Sequence, residues 1–295
     1  MLIATLIAAG ELKAGDISAA RDAVAAAGGT AGAADWLDMG KAADLAISGL
    51  DRQAARAALE DLLPRVDVVV QTPGPRRRGL IIADMDSTMI TIECIDELAD
   101  YAGIKEQVAK VTEAAMRGEL DFVGALDARV KLLGGLEAAM IDRCREERVK
   151  IMPGAKALVR TMKANGARAV LVSGGFTVFA DEVARDIGFD RAISNTLGIE
   201  GGRLTGTVAR PVVDSAVKKA TLLAEAEAAR IPLDATLAVG DGANDVPMIE
   251  AAGLGVAYHA KPKTAAAAHA RIEHNDLSAL LYAQGYSASE WWRED

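Results

Sequence analysis

The chain has 295 residues, 51% of them hydrophobic, with 33 basic against 42 acidic side chains for a formal net charge of −9. That is enough apolar sequence for one α/β domain of ordinary size and a smaller companion. The acidic balance argues against a nucleic-acid partner or an anionic membrane surface. The opening "MLIATLIAAG" lacks the basic flank and cleavage signal of a secretory leader and reads as a strand. No apolar run reaches bilayer length. "DISAARDAVAAAG" follows as a helix with Asp16 expected at its N-cap, then "ADWLDM" and "ADLAIS" as a pair of strands. "DRQAARAALEDLLP" gives a second helix and "VDVVVQT" a last strand. The βαββαβ order predicts a small ferredoxin-like domain over residues 1–72. "PGPRRRG" comes next, with residues 73–78 expected as a solvated, stretched linker; its three arginines invite a nucleic-acid reading that the acidic chain disfavours.

After Gly79 a strand, "LIIAD", precedes about 60 residues of helical periodicity. From Pro153 strands and helices alternate, which predicts a parallel sheet covered on both faces. The expected division is a core from residues 79–91 and 152–285, a helical insert at 92–151 and a tail at 286–295. Cys94 and Cys144 match no metal-ligand spacing, so buried thiols and a reducing compartment, the cytoplasm, are expected.

In an open parallel sheet ligands bind beyond the carboxyl ends of the strands. Three expected strands end in unusual sequence: "DMDST" with Asp84 and Asp86, "SGGF" with Ser173, Gly174 and Gly175, and "GDGAND" with Asp241, Asn244 and Asp245. If those strands are neighbours, four carboxylates meet in one crevice, where they repel unless a cation neutralises them. Oxygen ligands without His or Cys suit Mg²⁺. The Ser-Gly-Gly tip offers a hydroxyl and open backbone N–H groups for a phosphate. Lys218 or Lys219, opening a helix between the second and third tips, adds positive charge. Each motif alone is commonly a turn or a surface feature; their joint occurrence in order at element ends is not. In the insert, Phe122, Leu126, Val130 and Leu133 form an apolar stripe, and Arg129 projects from the same face.

"DMDST", "SGG", the lysine and "GDGAND" resemble the four motifs of the haloacid dehalogenase superfamily. "DMDSTMITIECIDELA", "RVKLL", "VSGGF" and "GDGANDVPMI" are similar to its phosphoserine phosphatase family over about residues 79–285. The resemblance implies a Rossmannoid parallel sheet with a helical cap inserted after the first motif, and an ACT-like N-terminal domain. It implies Mg²⁺-dependent hydrolysis of O-phospho-L-serine to L-serine and phosphate, the step that ends L-serine biosynthesis. Asp84 is then the nucleophile that forms an aspartyl-phosphate, Asp86 the proton shuttle, and Lys218, rather than Lys219, the phosphate-binding lysine beside Ser173 and Gly174. Mg²⁺ is expected on Asp84, the Asp86 carbonyl and Asp241, with Asp245 and Gly175 in support and Asn244 both supporting that shell and binding substrate. Arg129 and Glu93 match the residues that take the substrate carboxylate and amino group, and Met116 and Phe122 the pocket wall. The expected partner is a small molecule, with no nucleic acid and no membrane; a homodimer stays open. The rivals are another small phosphomonoester, phosphoryl transfer to an acceptor other than water, and a catalytically dead amino-acid sensor.

Overall fold

The computed structural model describes residues 1–293, without the side chain of Met116. The first elements are β1 (Leu2–Ala8), α1 (Ala14–Ala26), β2 (Thr30–Asp38), β3 (Ala42–Ser48), α2 (Arg52–Leu59) and β4 (Val66–Gln71). They form an antiparallel sheet in the order β2-β3-β1-β4, the ferredoxin-like arrangement. Two details differ from the sequence reading. Strand β2 begins at Thr30, several residues early, and α1 is capped from within: Lys13 holds the N-cap, and Asp16, in the first turn, accepts its backbone N–H at 2.8 Å.

Side chains alternate across this sheet. One face, with Leu6, Leu45, Val68 and Val70, packs in a core of its own with Ile17, Ala20 and Val24 of α1 and Ala55 and Leu59 of α2. The other carries Thr5, Ile7, Ala42, Asp44, Asp67, Val69 and Gln71, and all seven are buried. Ile7, Ala42 and Val69 belong to the main hydrophobic core, so this face lies on the rest of the chain.

The polar members of that face are all bonded across the junction. Asp67 accepts from the backbone N–H groups of Glu273, His274 and Asn275, and Gln71 donates to the carbonyl of Ala283 at 2.7 Å. Asp44 pairs with Arg76 at 2.5 Å, and Arg76 also reaches the carbonyls of Tyr282 and Ala283. Arg78 donates to Gln71 and to the carbonyl of Asp234, while Arg77 pairs with Glu290 and lies over the Tyr286 ring. The expectation of a solvated, stretched linker therefore fails. The segment is irregular, but its arginines clamp both parts of the chain. Composition showed their charge and not the carboxylates and carbonyls that receive it.

The second part runs β5 (Leu80–Ala83), α3 (Cys94–Tyr101), α4 (Lys105–Met116), α5 (Phe122–Leu132), α6 (Ala139–Arg148), α7 (Ala155–Ala164), β6 (Arg168–Phe176), α8 (Thr177–Ile187), β7 (Arg191–Asn195), β8 (Leu197–Glu200), β9 (Arg203–Val208), α9 (Ser215–Ala229), β10 (Thr236–Gly240), α10 (Val246–Ala251), β11 (Leu254–Tyr258), α11 (Pro262–Ala267), β12 (Ala270–Ile272) and α12 (Ala279–Ala283). Six strands form a parallel sheet in the order β12-β11-β10-β5-β6-β7. Helices cover both faces: Leu158, Val159, Phe179 and Val183 of α7 and α8 lie in the core cluster that holds Ile81, Leu171 and Val239, and Leu222, Ala226 and Met248 of α9 and α10 in the one that holds Leu80, Ile82 and Val172. The β8–β9 hairpin, absent from the sequence reading, packs β9 against α5. Its turn is Gly201-Gly202, both at positive φ (56° and 75°), as a tight two-residue hairpin requires.

Candidate active site

Strand β5 lies between β10 and β6, so the three unusual tips are neighbours. Asp84 follows β5 directly and is fixed by its N–H to the carbonyl of Val239 at 3.0 Å. The chain then turns tightly: the Met85 carbonyl accepts from the N–H groups of Thr88, Met89 and Ile90, and Ser87 sits at φ 55°. That turn returns the backbone so that Asp86 faces the same crevice as Asp84.

Lys218 lies in the first turn of α9, whose N-cap Asp214 accepts from Val217 N–H at 2.9 Å. Its side chain is fully buried, and Nζ donates to Asp84 Oδ1 at 2.5 Å and to Asp245 Oδ1 at 2.6 Å. Lys219 is exposed. Asp245 uses its second oxygen on the N–H of Gly242 at 3.0 Å, so both its oxygens hold protein donors. Among the described residues the Asp241 carboxylate has only a long contact, from Thr88 Oγ1 at 3.4 Å. Oxygens of Asp84, Asp241 and Asp245 lie within 4.8 Å of one another.

The electrostatics follow from burial and crowding. Burial and the adjacent Asp245 raise Asp84 well above the ordinary carboxylate range, against the pull of Lys218. Burial and Glu93 push Asp86 up to about 7, and burial, Asp245 and Glu93 push Asp241 up to about 6. For Lys218 burial acts downward, but Asp245 and Asp84 more than offset it and hold the ammonium charged. Four carboxylates thus crowd one buried ammonium, which bonds two of them. Asp86 Oδ1 is buried with no hydrogen-bond partner among the described residues. This excess of oxygen donors, without His or Cys, fits a hard divalent cation.

A cavity of about 390 Å³ opens over these groups. Its floor is Asp84, Asp86, Ser173, Gly174, Gly175, Asp241 and Asn244, and its roof includes Glu93, Asp96, Phe122, Leu126 and Arg129 from the 92–151 segment. Glu93 precedes α3 and accepts from Ser87 Oγ at 2.7 Å. Arg129 is half-buried and spends its Nε on the carbonyl of Ala125. Burial lowers its pKa, and the nearby Asp96, Glu93 and Asp86 counter that. The Phe122 ring lies over the glycine turn, so a methyl group on Gly174 would come within 3.1 Å of it. Gly175 is closer still: a Cβ there would sit 3.0 Å from Asp86 Oδ2 and from Ser173 Oγ. The side chain of Met116, expected in the wall, lies outside the described residues; the helix ending at Met116 is α4. Asp96, Thr112 and Lys261 also line the cavity and were not singled out in the sequence. Asp96 stands three residues after Glu93, one helical turn along the same face, and that spacing was the available signal.

A family model, haloacid dehalogenase-like hydrolase, matches residues 81–250. A phosphoserine phosphatase of Albidiferax ferrireducens is 47% identical over 207 residues, 68% of this chain and 87% of the relative. That of Streptomyces coelicolor is 46% identical over 253 residues, 84% of this chain and 62% of the relative. The chain spans less than two thirds of that protein and of two further phosphoserine phosphatases at similar identity. Among solved structures, the unliganded form of a probable phosphoserine phosphatase from Vibrio cholerae aligns with a TM-score of 0.79 and 35% identity, covering 98% of this chain and 88% of that one. With the family model matched over more than half its length, the chain belongs to the haloacid dehalogenase-like hydrolases, in their phosphoserine phosphatase family.

Proposed function

We propose that the chain hydrolyses O-phospho-L-serine to L-serine and phosphate through an aspartyl-phosphate on Asp84. One observation carries the reading: a single cavity joins the carboxylates of Asp84 and Asp86 below to the opposite charges of Glu93 and Arg129 above. The floor suits a phosphoryl group, and the roof suits a zwitterionic head. In this reading residues 92–151 act as a cap on a core formed by 79–91 and 152–285, with residues 1–72 as an ACT-like unit docked on that core.

Asp84 attacks phosphorus, and the bond from phosphorus to the seryl oxygen breaks while Asp86 gives that oxygen its proton. Asp86 then takes a proton from the water that attacks the aspartyl-phosphate, releasing phosphate and restoring the Asp84 carboxylate. A group pushed to about 7 can carry a proton in one step and accept it in the next at neutral pH. Lys218, Ser173 and Gly174 hold the phosphoryl oxygens, and Asp245 holds Lys218 in place. Asp84, the Asp86 carbonyl and Asp241 would hold Mg²⁺, with Asn244 and Gly175 shaping the floor around them. The ion supplies positive charge against the phosphoryl oxygens. Glu93 and Arg129 take the ammonium and carboxylate of the substrate, and Phe122 and Met116 close the wall. The buried, unpaired Cys94 and Cys144 suit a reducing compartment, in keeping with a cytoplasmic enzyme.

Phosphate release from O-phospho-L-serine, with and without Mg²⁺, tests the reading, together with mass spectrometry of acid-quenched protein. Release dependent on the ion and a phosphate adduct on Asp84 are expected. An adduct on Ser87 or Ser173 overturns the nucleophile, and faster release from phosphothreonine or phosphohomoserine overturns the substrate.

A further inference from the structure

We infer that Asn195 is a positioning residue that sets the glycine turn so that the Ser173 hydroxyl can donate to the phosphoryl group; this rests on the phosphatase reading above. Asn195 closes β7 and is 2% exposed. Strands β6 and β7 pair in register up to Val172 opposite Ile193 and again at Phe176 opposite Asn195. Between these pairs Ser173, Gly174 and Gly175 face the single residue Ser194, so the turn is a bulge thrown out of the sheet toward the cavity.

A bulge built on two glycines has a peptide plane that can rotate readily, because neither side has a Cβ to restrict it. Asn195 removes that freedom. Its Nδ2 donates to the Gly174 carbonyl at 2.8 Å, and its Oδ1 accepts from Val213 N–H at 2.7 Å. The amide orientation is forced, since a carbonyl needs a donor and an N–H an acceptor. In a trans peptide the C=O and the next N–H point opposite ways. Holding the Gly174 carbonyl toward β7 therefore turns the Gly175 N–H the other way, where it donates to Ser173 Oγ at 2.9 Å. With that N–H filling an acceptor position, the hydroxyl's own hydrogen is directed elsewhere, and Ser173 lines the cavity.

The second arm matters as well. Val213 immediately precedes Asp214, the N-cap of α9, and Lys218 sits in the first turn after it. One buried amide thus ties the turn that carries Ser173 to the helix start that carries Lys218. Asn195 is not among the residues that line the cavity; it acts through both phosphate-binding elements.

The test is a double-mutant cycle of Asn195→Asp with Ser173→Ala, read as kcat/KM on O-phospho-L-serine and on an aryl phosphate. Asn195→Asp keeps the acceptor for Val213 but sets a carboxylate oxygen against the Gly174 carbonyl. A loss of about 10- to 100-fold is expected, equal on both substrates, because displacement of a positioned group by a fraction of its reach has effects of that size. In the Ser173→Ala background the same change should cost only a few-fold, since the two act as one unit. Equal cost in both backgrounds, loss confined to phosphoserine, or no loss overturns the inference. If the aspartate variant does not fold, Asn195→Ala, which buries no charge, repeats the cycle. It also frees the Val213 N–H, so its cost should shrink but not vanish in the Ser173→Ala background, and an equal cost in both backgrounds still overturns the inference. If neither folds, Asn195 is structural and the inference falls. If the unmodified protein releases no phosphate from either compound, the functional reading fails separately, and the cycle is read from the affinity for inorganic phosphate by calorimetry.

Discussion

The carboxylates of Asp84, Asp86, Asp241 and Asp245 crowd the ammonium of Lys218, which bonds two of them, and burial with neighbouring carboxylates leaves Asp86 at about 7 and Asp241 at about 6. In an unfolded chain both would titrate near 4. The fold therefore takes up protons between about pH 4 and pH 7, and an acid whose folded pKa is raised stabilises less as pH rises through that window. With a chelator present, the melting temperature should be higher at about pH 5.5 than at about pH 7.5. Added Mg²⁺ should raise it most at the higher pH, where the carboxylates are ionised. A chelated profile that rises toward neutral pH would show that Lys218 and Lys261 neutralise the cluster without the ion. Arg129 poses a different question, that of selectivity. Its planar fork can grip a carboxylate with two parallel hydrogen bonds, which lysine cannot reproduce. Arg129→Lys should lower kcat/KM for phosphoserine by roughly 2–4 kcal/mol, mostly through KM, and leave an aryl phosphate nearly unchanged. An equal loss on both substrates would assign Arg129 to the folding of the cap.

The elements show how strictly the backbone serves these side chains. Gly240 ends β10, and a methyl group there would overlap the Cγ of Asp245. Asp245 cannot yield without releasing both Lys218 and the Gly242 N–H. Gly240→Ala should therefore cut turnover by at least 100-fold, an effect of the size that displaced transition-state groups show, while the sheet stays folded by circular dichroism. Near-normal turnover would mean that Asp245 is dispensable. Elements of this kind were readable in advance because each tip combines an apolar run with residues that no turn needs. "LIIAD" and "TLAVG" announce buried strands, and several carboxylates gathered at their ends exceed what the turns require. The β8–β9 hairpin escaped notice despite its Gly-Gly turn, since β8 and β9 span only four and six residues with several polar positions. Asn195 escaped for another reason. An asparagine at a strand end reads as a turn residue, and only the register of β6 against β7 reveals what it bridges.

Across the whole molecule, the largest departure from the sequence reading lies between the two parts. "VDVVVQT" carries its explanation in its alternation: Asp67, Val69 and Gln71 share one face, and two polar residues there signal bonded partners rather than water. Those partners lie about 200 residues away in sequence, so local pattern could not identify them. A chain starting at residue 79 would leave β12, α12 and the backbone of 273–275 without the β4 and β1 surface they meet. Removal of residues 1–72 should thus produce an insoluble protein, or one that melts at least 10 °C lower, and thermal unfolding of the full chain should be a single transition. A soluble fragment with unchanged melting would mean that the buried junction contributes nothing.

Arg76, Arg77 and Arg78 give that junction a mechanical character. A hinge needs a connection that can change its dihedral angles without breaking buried bonds, and here each of three successive residues is anchored on the larger part while two also grip the smaller one. The two parts cannot swing. An event on α2 has a direct path to the crevice as stress in a stiff frame: Arg56 donates to the Ala268 carbonyl at 2.9 Å, and the segment before it starts at Lys261, whose N–H donates to the Asp241 carbonyl.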